Sequence, residues 1–100
     1  MNHSGIIQQD SQHFLIEGEL NMQTVPTLLQ VMLSQLPASG SEAHIDLAGV
    51  TRSDSAGLAL LVEWLRLAKA GDIRLQFHNL PPQLQEMARV SDLLPLLPLG

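Results

Sequence analysis

The sequence predicts one α/β domain, a small mixed β-sheet with helices packed on one side, and three observations carry that expectation. Strand-like segments and helical periodicity alternate through the last two thirds of the chain. Two strand-like runs precede the first helical stretch with only a polar turn between them, the pattern of a hairpin. A length of 100 residues, 45% hydrophobic and 15% charged, suffices to bury one core and little more.

Taken in order, Ile6-Ile7 and residues 13–17 read as strands around the turn Gln9-Asp10-Ser11-Gln12. After Gly18-Glu19-Leu20-Asn21, Thr24 is placed to cap a helix and Pro26 suits its first turn. Val25, Leu28, Leu29, Met32, Leu33 and Leu36 then recur at helical spacing until Pro37. Ala38-Ser39-Gly40-Ser41 is a loop before a strand over residues 43–47. A polar turn at residues 53–57 leads into a helix over residues 55–70, which Gly71 ends. Residues 73–77 alternate as a strand, and Pro81-Pro82 opens a third helix carrying Leu84, Met87, Ala88 and Val90. The tail, residues 93–99, holds Pro95 and Pro98; it is expected to pack irregularly on the domain.

Composition narrows the function classes. The net charge is −5, and the five cations, Arg52, Arg66, Lys69, Arg74 and Arg89, are scattered. No basic stripe is present, so nucleic acid and anionic headgroups are poor partners for direct binding. There is no cysteine and therefore no disulfide or thiolate chemistry. The first residues lack the pattern of a signal peptide, and no apolar run reaches the roughly 20 residues of a membrane span. A soluble cytoplasmic protein without direct membrane insertion is expected. No Gly-rich phosphate loop is present, and His3, His13, His44 and His78 lack the close helical spacings of zinc sites. Neither a cofactor nor a metal is expected, and the histidines read as strand-end or surface residues.

The candidate site is the turn Ser53-Asp54-Ser55-Ala56-Gly57. Small and polar residues at a strand-to-helix junction leave the Ser55 hydroxyl unshielded, and the partial positive charge of the helix start favours negative charge placed there. A cap role for Asp54 or Ser55 is the plain alternative. At about 100° per residue, Leu58, Leu61, Val62 and Leu65 form one stripe of the following helix. Leu60, Trp64 and Leu67 form a second stripe beside it. Either the third helix or the tail covers that second stripe, or it is a partner surface running down from Ser55 with Trp64 as its anchor.

The pattern Asp46-Leu47, Val50 and Asp54-Ser55-Ala56-Gly57-Leu58, downstream of Gly18-Glu19-Leu20, resembles the STAS domain family across nearly the whole chain. That resemblance implies a small mixed sheet with helices on one side. In the antagonist branch the residue matching Ser55 is phosphorylated by an anti-sigma-factor serine kinase. Asn21 and Ala56 depart from that branch, which usually carries Asp and a second hydroxyl there. Thr24-Val25-Pro26, the run Leu58-Ala59-Leu60-Leu61 and the leucine and proline tail look more like the MlaB branch. There the domain is a non-catalytic cytoplasmic subunit of a phospholipid ABC transporter. It binds the ATPase subunit, which works with a permease, and so lies peripheral to the inner membrane. The resemblance thus marks Ser55 as the regulatory residue, with Asp54, Ser55, Ala56, Leu60, Trp64 and Leu67 expected to contact the partner.

One enzymatic alternative shares the local pattern. Residues 53–57 differ from the G-x-S-x-G nucleophile elbow only at the first position. Its partners would be His78 with Glu63 or Asp72, in a chain too short for the large sheet that normally holds such a triad.

Overall fold

The computed structural model describes residues 4–100. Its elements run β1 (Ser4–Gln8), β2 (His13–Leu20), α1 (Val25–Ser34), β3 (Glu42–Ser53), α2 (Ser55–Ala70), β4 (Arg74–His78) and α3 (Pro82–Val90), followed by a 3-10 turn at Leu94–Leu96. The strands form one sheet in the order β1-β2-β3-β4. β1 and β2 make the antiparallel hairpin expected at the N-terminal side. β2, β3 and β4 are parallel, so α1 and α2 are the crossover connections that parallel neighbours require.

Alternation along the strands sorts the two faces of the sheet. Phe14, Ile16, Ala43, Ile45, Leu47, Leu75 and Phe77 are buried, while the intervening Glu17, His44, Asp46 and Gln76 keep solvent contact. The helices cover the first face and leave the second open. β3 is longer than its plainest alternation suggests, because its second half pairs with the end of β2, Gly49 opposite Glu17 and Ser53 opposite Leu20. Gly49 permits that approach, since a Cβ there would lie 2.8 Å from the Ile16 carbonyl oxygen.

The start of α1 differs from expectation in its chemistry. Thr24 stands at the cap position without capping. Its hydroxyl donates to the Glu19 carbonyl at 2.7 Å and accepts from the Asn21 N–H at 3.0 Å. The turn that leads into α1 is closed by Asn21 Oδ1, which accepts from the N–H groups of Gln23 and Thr24 at 2.8 and 3.0 Å. A short amide side chain reaching its own backbone two and three residues on is well suited to this turn.

Helix α2 lies between α1 and α3 in the helical layer, and this corrects the expected partner ridge. Leu60 and Trp64 are core residues, 1% and 2% exposed. Trp64 lies tilted against Phe77 of β4, ring centroids 6.4 Å apart. Leu67 is half-buried and packs on the edge of the same core. A helix with neighbours on both flanks and a sheet beneath buries a wider arc than a surface helix. Of the predicted core stripe of α2, Leu58 and Leu61 are buried while Val62 is 38% exposed; on α3, Val90 is 69% exposed.

The tail packs on the domain as anticipated. Leu97 is buried, the Phe77 N–H donates to the Pro98 carbonyl at 2.8 Å, and the Gly100 N–H donates to the Phe77 carbonyl at 2.9 Å. These bonds occupy backbone groups of β4 that an edge strand would otherwise leave exposed.

Trp64→Ala is expected to lower stability by about 3–5 kcal/mol, the usual cost of truncating a large buried ring. The indole N–H has no acceptor among the described residues, so Trp64→Phe should cost considerably less. Urea denaturation followed by far-UV circular dichroism measures both, and a Trp64→Ala chain with an unchanged midpoint would contradict the core assignment.

Candidate functional site

Parallel β2 and β3 end side by side, Leu20 opposite Ser53. The turns into α1 and α2 therefore open at one edge of the sheet, the carboxyl ends of its strands, where α/β folds place their sites. The Asp54 N–H donates to the Leu20 carbonyl at 3.1 Å. Ser53 is buried; its N–H donates to Gln83 Oε1 of α3 at 3.1 Å, and its hydroxyl donates to the Asp54 carbonyl at 3.0 Å. One junction thus joins β2, β3, α2 and α3. Gly57 makes it possible, because a Cβ at that position would meet Ser53 Oγ at 2.0 Å and Leu20 Cβ at 3.2 Å.

Capping falls to Asp54 rather than Ser55. Asp54 has extended backbone angles, and its Oδ1 accepts from the Ala56 N–H at 2.8 Å. Ser55 is the first residue of α2 and is exposed. Its hydroxyl has no hydrogen-bond partner among the described residues. Ala56, half-buried behind it, presents no competing polar group.

Two shallow clefts meet at Ser55. One is polar, lined by Glu19, Asn21, Arg52, Asp54 and Gln83. In it Asn21 Nδ2 donates to Glu19 Oε2 at 2.9 Å, while Arg52 stays 4.0 Å from the Glu19 carboxylate. So long an exposed pair holds the guanidinium weakly. The other cleft is apolar, formed by Leu58, Met87 and Val90 with Gln83 and Glu86 at its rim. Glu86 is paired with Arg89, and their hydrogen bond lowers the Glu86 carboxyl and raises the Arg89 guanidinium from their ordinary values. Met22, 81% exposed, stands on the turn after β2.

Of the residues singled out in the sequence, Asp54, Ser55 and Ala56 come together at this rim, whereas Leu60 and Trp64 are sealed below it. Gln83, Met87 and Val90 take their place around Ser55. Nothing in the sequence pointed to Gln83; its partner is the backbone of a residue 30 positions earlier. Met87 and Val90 carry the helical periodicity of α3, which by itself does not separate core positions from a surface beside Ser55.

The nucleophile-elbow alternative is not assembled. His78 lies on β4 with its Nε2 2.8 Å from His44 Nδ1, and the Ser55 hydroxyl bonds to no histidine among the described residues. Among the described residues, no group of three or more His, Cys, Asp and Glu could hold a metal ion. No helix among them is long and apolar enough to cross a membrane.

Comparison with known proteins agrees with this architecture. A family model described as "Mlab, STAS domain" matches residues 7–98. The anti-sigma-B factor antagonist of Staphylococcus epidermidis is 27% identical over 97 residues, covering 97% of this chain and 90% of that protein. The antagonist from the strain ATCC 12228 of the same species gives the same figures. The solved structure of the anti-sigma factor antagonist SpoIIAA in its unphosphorylated form superposes with a TM-score of 0.68 at 16% identity, covering 98% of this chain and 88% of that one. At that identity the likeness establishes the fold.

Gly57→Ala is expected to lower stability by about 1–3 kcal/mol, as overpacking does when neighbours must shift. Ser55→Ala should stay within about 0.5 kcal/mol of wild type, because the hydroxyl neither caps nor packs. Parallel urea titrations test the pair, and the reverse ranking would contradict the assignment of cap and clash.

Proposed function

The chain belongs to the STAS domain family, and from that premise we propose that it is a non-catalytic docking subunit whose Ser55 end grips the ATPase of a phospholipid ABC transporter. The observation that carries this reading is an unpartnered hydroxyl standing between a polar and an apolar cleft. An apolar floor of Leu58, Met87 and Val90 supplies area to remove from water, and Ser55, Asn21 and Gln83 supply hydrogen bonds that fix register. The family description, which names Mlab, supports the transporter assignment. So do Ala56, where a second hydroxyl is missing, and Asn21, whose side chain is committed to the turn into α1. In this reading the subunit sits on the cytoplasmic side and is held at the inner membrane by the ATPase and its permease, without a cofactor of its own.

A second reading is favoured by the curated relatives, which are anti-sigma factor antagonists. Ser55 would then be the target of a partner serine kinase. Phosphorylation adds about −1.5 to −2 charges. The start of α2 favours that charge, Arg52 is loosely enough held to turn toward it, and Asp54 opposes it. The same surface would change sign and release its partner.

Purification with native partners separates the two, an ATPase with a permease supporting the first and a serine kinase the second. In the transporter reading, Ser55→Ala should reduce stimulation of the ATPase, and Val90→Asp should weaken its binding at least about tenfold, or 1.4 kcal/mol. Calorimetric titration and ATP turnover measure these effects. Wild-type behaviour of both variants would place the interface elsewhere on the domain.

A further inference from the structure

The open face of the sheet carries a second cluster, remote from the helices and from Ser55. His13, His44 and His78 come from β2, β3 and β4, His13 directly opposite His44 and His78 one side-chain step diagonal to it. The His13 and His44 rings stack with centroids 4.6 Å apart and planes at 8°; those of His44 and His78 are 5.1 Å apart at 25°. His44 Nδ1 and His78 Nε2 face each other at 2.8 Å. On its other side His44 Nε2 lies 3.1 Å from Glu42 Oε2, and His13 Nδ1 is held by Asp10 at 2.8 Å.

We propose that His44 and His78 form a two-nitrogen chelate for a divalent transition-metal ion of the zinc and cobalt type. Metal–nitrogen bonds of about 2.0–2.1 Å set two cis imidazole nitrogens about 2.9 Å apart at a right angle and about 3.3 Å apart at the tetrahedral angle. The observed separation of 2.8 Å is already near the right-angle value, and the two rings must turn so that nitrogens facing each other converge on the ion. Glu42 supplies the outer partner that ligating histidines require. In the tautomer with the His44 proton on Nε2, Glu42 accepts its hydrogen bond and Nδ1 is the free nitrogen facing His78. In that tautomer His78 Nε2–H donates to His44 Nδ1 in the apo pair, and coordination requires the His78 proton on Nδ1 instead. His13 is not counted as a ligand, because its Nδ1 is engaged by the Asp10 carboxylate and, among the described residues, only His44 and His78 bring ring nitrogens to within 3 Å of each other. With no third side chain converging among the described residues, water completes the shell, and the ion is exchangeable.

The proposal is independent of the Ser55 reading and is tested on the untagged chain carrying His3→Gln, which removes the fourth histidine. Calorimetric titration with Zn²⁺ should show saturable binding of one ion per chain. His44→Gln or His78→Gln should abolish it, Glu42→Gln should weaken it ten- to a hundred-fold, and His13→Gln should leave it in place. In the chain with both ligands intact, Co²⁺ should selectively perturb the NMR ring signals of His44 and His78, which gives a readout even where a variant folds poorly. No saturable binding, binding that survives both ligand substitutions, or Co²⁺ perturbation centred elsewhere would overturn the proposal.

Discussion

The domain depends on one close approach, the contact between the buried end of β3 at Ser53 and the first turn of α2 at Gly57. No side chain fits between them. The approach lets the Ser53 N–H reach Gln83 of α3 and the Asp54 N–H reach the end of β2. Backbone and amide groups that would otherwise be buried without partners are satisfied at a single point. With Ser53 turned inward and Asp54 occupied with the cap, the next residue has no structural duty. Ser55 is displayed because its two predecessors hold the junction and a glycine follows close behind.

The same packing explains where the recognition surface ends. α2 is the middle helix of its layer, so its apolar content serves the domain itself, with Trp64 against Phe77 at the centre. The apolar surface beside Ser55 comes from Met87 and Val90 on α3, while Met22 is exposed on the turn after β2. In the docking role proposed for this end of the domain, a partner would have to match the Ser55 hydroxyl and the α3 side chains together. The exposed position of Ser55 also leaves the core intact when the hydroxyl is changed or modified.

The two faces of the sheet divide the chemistry of the molecule. The covered face is apolar and builds the core; the open face brings polar side chains from adjacent strands into register. Histidines far apart in sequence thereby come into stacking and hydrogen-bonding contact. Spacing along the chain cannot signal this arrangement, because metal-site spacings report residues on one helix or loop, whereas these residues meet across strands.

Much of the architecture was legible in the residues. Alternation and helical periodicity located the hairpin, the helices and the later strands, and the prolines of the tail predicted its irregular course, because these patterns record which side of each element faces apolar surroundings. The strand-to-helix turn at residues 53–57 likewise marked the exposed Ser55, since small polar residues at a helix start act locally. What lay beyond reach was any property set by neighbours distant in the chain. Periodicity shows that α2 has two apolar stripes but not that helices flank it on both sides, so it leaves open whether Leu60 and Trp64 meet a partner or the core, and the fold places them in the core. The Asn21 turn, the Gln83 bond to Ser53 and the histidine row were invisible for the same reason. Local patterns come from backbone geometry within a few residues, whereas burial and partner choice come from how whole elements stack, and only the tertiary structure decides that.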